Sequence, residues 1–192
     1  MQKGKASIKF DKEPVIMGAA SIVGEKEGEG PLKSCFDRVE PDPMYGQDSW
    51  EAAESEFQRQ TALKCLEKSG LKESDIRYLF AGDLLGQSIA SSFGLGAFQI
   101  PLVGMYGACS TCGLSMSMAV IMIAGGMAEY AACVTSSHFA SAEKEFRFPL
   151  SYASQRPLSA HWTVTGSGAF IVGKKKSHVR VAGVTVGKIV DY

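Results

Sequence analysis

The feature that most constrains the fold of this chain is a long run without charge. Residues 84–128 contain no Asp, Glu, Lys, Arg or His, and a bilayer-spanning helix needs about 20 predominantly apolar residues. Gly and Pro residues divide the first half of the run into short elements, and Ser and Thr make the start of its second half, residues 110–128, semi-polar. We therefore predict a fully buried core helix that starts at Cys109, with a transmembrane helix as the alternative.

Strand and helix patterns alternate along the chain. A helix follows the D-x-x-E capping pattern of Asp48 and Glu51 and ends at Gly70. Lysines 174–176 indicate a solvated hairpin between the last two strands. This alternation predicts an α/β fold with a mixed, mostly parallel sheet and helices on both faces. The predicted strands cover residues 7–10, 15–23, 76–81, 101–106, 130–135, 168–172 and 179–186. The predicted loops cover residues 24–47 and 136–159. We predict a short helix or loop over residues 87–98.

Charge and cysteine content narrow the function. Lys plus Arg and Asp plus Glu each number 20, so there is no electrostatic reason to predict binding to nucleic acid or to an anionic membrane surface. The five cysteines are odd in number and irregularly spaced, which is not typical of a disulfide framework. No apolar run behind the basic N-terminus is long enough for a signal peptide. These features indicate an intracellular, reducing compartment.

The sharpest candidate for chemistry is Cys109, between an apolar strand and an apolar helix. A cysteine at a helix N-terminus is favoured as the thiolate, which is the nucleophile, and the small residues around it let a substrate approach. This pattern suits acyl transfer. A buried structural cysteine is one alternative, and a C-x-x-C redox pair with Cys112 is another. No second Cys or His pair has ligand spacing, so no metal site is predicted.

Polar residues that follow strands are further candidates. Ligands gather beyond the carboxyl ends of strands in α/β sheets. Asp83 lies at such a strand end, where it would orient a ligand, hold a cation or cap the next helix. Ser137 and His138 are expected to face the same crevice. His138 would donate to an anionic ligand or pair with Cys109, or be an ordinary surface or core histidine. Arg147 would bind a carboxylate through its bidentate fork, or be a solvated loop charge.

Several motifs together resemble one protein family. The segment at 107–111 is similar to the nucleophile segment of the thiolase superfamily, which includes the ketoacyl synthases. The chain as a whole resembles the stage V sporulation protein AD family within that superfamily. The matching segments run almost end to end and in order: residues 29–32, 81–85, 107–111, 135–138, 145–149, 163–169 and 184–191.

This resemblance implies a thiolase-like fold duplicated in two halves. Residues 1–192 would be the N-terminal half, and the C-terminal half would be absent. The resemblance also implies a non-catalytic protein without a cofactor that binds dipicolinic acid (pyridine-2,6-dicarboxylate), with or without calcium. It would act in uptake into the forespore and in release at germination. The matching positions expected to contact the ligand are Asp83, Cys109, Ser137, His138 and Arg147.

The resemblance further implies where and with what the protein acts. It would lie peripherally on the spore inner membrane, beside membrane proteins of the same sporulation operon, and would form a homodimer. The alternative function is a thiolase or ketoacyl-synthase-type acyltransferase with Cys109 as the nucleophile. In that superfamily the partner His and the second His or Asn come from the second half, so residues 1–192 would not complete such a site. A half-fold would also expose a large apolar face.

Overall fold

A computed structural model of the chain describes residues 1–84, 87–146, 159, 161–175 and 177–191. Strands and helices alternate through these residues, as the sequence pattern predicts. In chain order the elements are β1 (Gln2–Lys3), β2 (Ser7–Lys9), β3 (Val15–Gly24), α1 (Glu25–Gly28), β4 (Arg38–Glu40), α2 (Trp50–Ser69), β5 (Tyr78–Asp83), α3 (Ile89–Leu95), β6 (Leu102–Gly104), α4 (Thr111–Ala124), β7 (Tyr130–Ser137), α5 (Phe139–Phe146), β8 (Gly166–Gly173) and β9 (Gly183–Thr185).

A six-stranded sheet forms the centre of the molecule. Its strand order is β4-β3-β8-β7-β5-β6. Strand β8 is antiparallel to both of its neighbours, and the other three pairings are parallel. The predicted α/β class with a mixed, mostly parallel sheet is therefore confirmed. The strands β1, β2 and β9 form a second, small antiparallel sheet.

Helices cover both faces of the central sheet, as predicted. Alternate residues of β8 show the two sides: Ala169 and Ile171 pack in the core cluster of α2 and α3, whereas Phe170 and Val172 pack in the cluster of α4. This follows from the period of two in a β-strand, which sends successive side chains to opposite faces. β8 is apolar on both faces because both are covered.

The long helix α2 begins one residue later than its capping pattern predicts. Ser49, rather than Asp48, is the N-cap, and its hydroxyl accepts a 3.1 Å hydrogen bond from the amide of Ala52. The C-terminal prediction is correct. Gly70 closes the helix in the left-handed region at φ +68°, which glycine adopts without steric cost.

Three local predictions are wrong, and pairing with strands distant in the chain accounts for two of them, β4 and β9. The predicted loop at 24–47 contains α1 and the sheet strand β4, and the predicted loop at 136–159 contains α5. The predicted hairpin does not form either. β8 pairs with β3 and β7, whereas β9 pairs with β2 in the small sheet. Lys176 of the predicted turn lies outside the described residues.

The helix of the uncharged run also differs from its prediction. A 3-10 turn covers residues 108–110, and α4 begins at Thr111 rather than at Cys109. One face of α4 is buried, but Leu114 is 36% exposed and Met118 is 37% exposed, so the helix is not fully buried in this chain. In the part of the chain that the structure describes, none of the helices has the length and apolar character needed to cross a bilayer.

Candidate functional site

A cleft of about 580 Å³ lies beside the turn that leads into α4. Cys109 and Cys112 line one wall, and the carboxyl end of β7 and the start of β8 line another. The aromatic rings of Phe146 and Trp162 border it as well. The described residues around this cleft carry hydroxyl, thiol, aromatic or aliphatic groups and no formal charge. We call it the Cys109 cleft.

The turn that presents Cys109 is held by hydroxyl groups. Ala108 has φ +46°, in the left-handed region, which costs a non-glycine residue about 1–2 kcal/mol. The Thr111 hydroxyl accepts a 3.0 Å hydrogen bond from the amide of Gly107 and donates a 2.8 Å bond to the carbonyl of Ala108. Ser110 donates a 2.6 Å bond to the carbonyl of Gly107. These bonds hold the strained turn, so that Cys109 stays exposed to the cleft.

The same turn packs closely against β5 at Gly82. A β carbon at this position would lie 2.6 Å from the Thr111 methyl carbon and 2.1 Å from the carbonyl oxygen of Met105. Both contacts are closer than real atoms approach, so only glycine fits. Gly82 therefore sets how closely the start of α4 approaches the sheet.

Ser137 lies in the Cys109 cleft, as the sequence predicts. It is the last residue of β7, and its hydroxyl donates a 2.5 Å hydrogen bond to the carbonyl of Val164. Both Ser137 and Val164 line the cleft. The structure thus brings two of the predicted site residues, Cys109 and Ser137, to one cavity.

His138 takes a different position. It is 1% exposed, and Trp50 and Phe139 pack against its ring at centroid distances of 5.3 Å. Its Nδ1 accepts a 3.2 Å hydrogen bond from the amide of Ala140, so its Nε2 donates the 2.8 Å bond to the carbonyl of Pro43. Burial lowers the pKa of this imidazole. His138 does not line the Cys109 cleft. Its predicted contact with a ligand stays a prediction, and its buried position does not favour that contact.

Asp83 points to the face of the sheet that α2 and α3 cover. One carboxylate oxygen accepts hydrogen bonds of 3.1 Å and 2.9 Å from the amide and the hydroxyl of Ser91, in the first turn of α3. Asp83 therefore caps the next helix, which is one of the three roles that the sequence predicts for it. The other oxygen is buried and has no hydrogen-bond partner among the described residues. A ligand contact by Asp83 stays a prediction.

Behind the sheet, Asp83 belongs to a buried polar network that the sequence did not reveal. Gln58 donates bonds of 2.7 Å and 3.1 Å to the hydroxyls of Ser136 and Ser91. Ser136 donates a 2.7 Å bond to Glu54, which is 1% exposed. Desolvation, with a smaller contribution from the Asp83 charge, raises the pKa of Glu54 to about 7. Polar residues inside a helix pattern are normally assigned to its solvent face, so only the tertiary structure shows them buried.

Arg147 lies outside the described residues. It directly follows Phe146, which lines the Cys109 cleft. Its role as the cationic partner of a ligand stays a prediction from the sequence.

The fold and the cysteine turn place the chain in the thiolase-like class of α/β proteins. A variant of OleA from Xanthomonas campestris superposes with a TM-score of 0.58 at 17% identity, over 86% of this chain and 57% of that chain. The 3-oxoacyl-(acyl carrier protein) synthase III of Xanthomonas oryzae gives a TM-score of 0.54 at 17% identity, with the same coverage of 86% and 57%. At such identities the likeness shows the fold alone.

Sequence comparison gives the family. Residues 4–192 match the family described as Stage V sporulation protein AD (SpoVAD). Stage V sporulation protein AD of Bacillus subtilis (strain 168) is 37% identical over 188 residues, which cover 98% of this chain and 56% of that protein. The chain belongs to the stage V sporulation protein AD family, as its motifs predict. It spans little more than half the length of this relative.

Proposed function

We propose that this chain is a non-catalytic dipicolinic acid binding protein of the spore, with its ligand in the Cys109 cleft. It would act in dipicolinate uptake into the forespore and in release at germination. The observation that carries the proposal is an open cleft whose described lining residues are uncharged. It lies at the position where thiolase-like enzymes have a nucleophile segment, in a member of a sporulation family.

The cleft offers groups that suit a flat aromatic diacid. The rings of Phe146 and Trp162 supply aromatic surface, and Thr163 adds a hydroxyl group to the lining. The cleft also lies at the N-terminal end of α4, where free amides and the helix dipole favour an anion. A pyridine ring between apolar walls with its carboxylates towards these donors would satisfy both parts of the ligand.

A dianion in this cleft needs a cation as well. The described lining residues carry no positive charge, and burying an unpaired carboxylate is costly. We assign this role to Arg147, whose guanidinium would form a bidentate pair with one carboxylate. Calcium bound together with dipicolinate is the second source of positive charge.

The proposal includes a place and partners for the protein. We propose a peripheral position on the spore inner membrane, beside membrane proteins of the same operon, and a homodimer. For the dimer, the exposed edge of the central sheet is the feature in support. β6 pairs only with β5 among the described strands, and its Leu102 and Val103 are 39% and 37% exposed. Such an edge can pair with another strand.

An acyltransferase that uses Cys109 is the second candidate. The exposed thiol in a strained turn before α4 favours it. A general base would have to activate the thiol, and His138 is buried with both ring nitrogens bonded to the backbone. Incubation with acetyl-CoA separates the two candidates: an acyl group found on Cys109 by mass spectrometry would favour the enzyme.

Calorimetric titration of dipicolinate into the folded chain tests the binding proposal. We expect saturable heat that Cys109→Ala and Arg147→Ala weaken at least tenfold. Cys35→Ala and Arg77→Ala are matched controls that should bind normally, because neither residue lines the cleft.

Gly168→Val is a third probe of the cleft. Nothing lies within 4 Å of a β carbon at Gly168, so the added side chain would fill the cleft and block the ligand without disturbing the fold.

Two results would contradict the proposal. Binding that none of these cleft variants weakens would place the ligand elsewhere. Absence of binding both in this chain and in the longer Bacillus subtilis relative would reject the ligand. Binding by the longer protein alone would mean that residues beyond those aligned complete the pocket.

A further inference from the structure

Two of the five cysteines share one cavity. Cys109 and Cys112 are both free, both exposed and both part of the wall of the Cys109 cleft. Cys65 is buried, which raises its thiol pKa to about 12, and burial also raises the pKa of Cys133. The fifth, Cys35, is exposed but is not a cleft residue. Only one pair of thiols is therefore both accessible and close in the chain.

The backbone between the pair aligns the two side chains. Residues 108–110 form a 3-10 turn, and Thr111 continues it in the right-handed helical region at φ −56° and ψ −36°. Cys109 lies in this turn and Cys112 in the first turn of α4, and side chains at positions i and i+3 lie on the same face of a helical backbone. Side chains three residues apart on a helix have β carbons about 5–6 Å apart, and a disulfide needs about 3.8 Å. A small adjustment of the turn therefore suffices.

The surroundings of the turn permit that adjustment. Gly107 precedes it, and Gly113 follows Cys112 with open space within 4 Å of where a β carbon would stand. Cys109 lies before the first residue of α4, so its movement does not break the hydrogen bonds inside the helix. Ala108 in this segment has φ +46°, so an adjustment there starts from a backbone that already carries strain.

We propose that Cys109 and Cys112 are a reversible dithiol–disulfide site in the wall of the cleft. The thiolate of one cysteine attacks a sulfur of a small-molecule disulfide and expels one thiol, which leaves a mixed disulfide on the protein. The second cysteine attacks that protein sulfur and expels the second thiol. The pair thereby loses two electrons and two protons, and these reduce the small disulfide to two thiols. This inference does not depend on the identity of the cleft ligand.

The site has a direct chemical consequence. In the oxidised form neither sulfur is a nucleophile, so Cys109 does not react with electrophiles that enter the cleft. In the reduced form the two thiols bind a trivalent arsenical together, because arsenic bridges two neighbouring sulfurs. Phenylarsine oxide is thus a selective probe of the reduced pair.

Native mass spectrometry after treatment with oxidised glutathione tests the proposal. We expect Cys109 and Cys112 together to lose two hydrogen atoms, whereas the exposed Cys35 gains one glutathione, and the number of thiols that iodoacetamide alkylates without denaturant to fall from three to none. Chymotryptic cleavage after Tyr106 and Leu114 would release one peptide that holds both cysteines, and this peptide should contain the internal disulfide. Dithiothreitol should restore both thiols.

Single substitutions provide the controls. Cys109→Ser and Cys112→Ser should each stop at a stable glutathione adduct and lose the tight capture of phenylarsine oxide. Cys35→Ser should keep the internal disulfide. The proposal fails if the unmodified chain accumulates separate glutathione adducts on Cys109 and Cys112, or if both thiols stay reduced while Cys35 reacts.

Discussion

Ser136 donates a 2.7 Å hydrogen bond to the Glu54 carboxylate on the α2 face of the central sheet. The next residue, Ser137, bonds to Val164 in the Cys109 cleft. Successive residues of a strand point to opposite faces, and Ser136 and Ser137 both line the cleft, although the Ser136 hydroxyl bonds to a buried carboxylate. The carboxyl end of β7 therefore joins the buried network to the wall of the cleft.

The stability of the fold should depend on the protonation of Glu54. Its pKa rises from 4.5 to about 7 on folding, so the folded chain binds this proton more tightly than the unfolded chain. The resulting stabilisation is fully present below pH 4.5 and is lost as the pH rises through 7. The loss corresponds to about 3 kcal/mol. Urea unfolding should show Glu54→Gln as the more stable protein at pH 8, with the difference gone below pH 4.5.

A second glutamate on the same helix is the matched control for this experiment. Glu67 has 69% of its side chain exposed and pairs with Lys64, and Glu67→Gln should change stability by less than about 1 kcal/mol at either pH. Equal stability of the Glu54→Gln variant and the unmodified chain at pH 8 would show that Glu54 is not held in a desolvated site.

His138 should stabilise the fold as a neutral imidazole. Its two backbone hydrogen bonds and its packing predict a loss of about 2–4 kcal/mol for His138→Ala at pH 7.5. Burial lowers its folded pKa, so its contribution is present above its ordinary pKa of 6.5 and is lost as the pH falls through the folded value. Urea unfolding at pH 7.5 and pH 5 measures this. The exposed His178→Ala should have no comparable effect, and an equal loss would refute the assignment.

The Thr111 hydroxyl should hold the turn that carries Cys109. Thr111→Val keeps the shape but removes both hydrogen bonds, and we expect a loss of about 1–3 kcal/mol in the free energy of unfolding. Thr111→Ser keeps the hydroxyl and should lose less. Denaturant titration of both variants decides the point, since a larger loss for Thr111→Ser than for Thr111→Val would show that the methyl group, and not the hydroxyl, holds the turn.

Two glycines on neighbouring parts of the sheet should respond differently to alanine. Gly82→Ala places a methyl group 2.1 Å from the Met105 carbonyl oxygen, and overpacking of this kind costs about 1–3 kcal/mol or more. Gly168→Ala meets nothing within 4 Å and should leave the unfolding midpoint nearly unchanged. Comparable thermal midpoints for the two variants would contradict the close approach of α4 to β5.

Local signals in the sequence predicted the elements that short-range physics controls. Gly70 ends α2 because glycine adopts the left-handed region without steric cost, and the alternation of apolar segments predicted the α/β class. Cys109 follows β6 and Ser137 is the last residue of β7, and the structure brings both to one cleft at the carboxyl ends of these strands. His138 follows the same strand but packs against Trp50, because the residue after a strand can turn away from the crevice.

The sequence by itself determined the family, the mixed α/β fold and the position of Cys109 between a strand and a helix, since each depends on neighbouring residues or on a recurring motif. The tertiary structure alone decided that β8 enters the middle of the sheet instead of forming a hairpin, and that Glu54 is buried beside Ser136. These features arise from pairing and packing between residues far apart in the chain. No local pattern encodes them, because their energy comes from partners that only folding brings together.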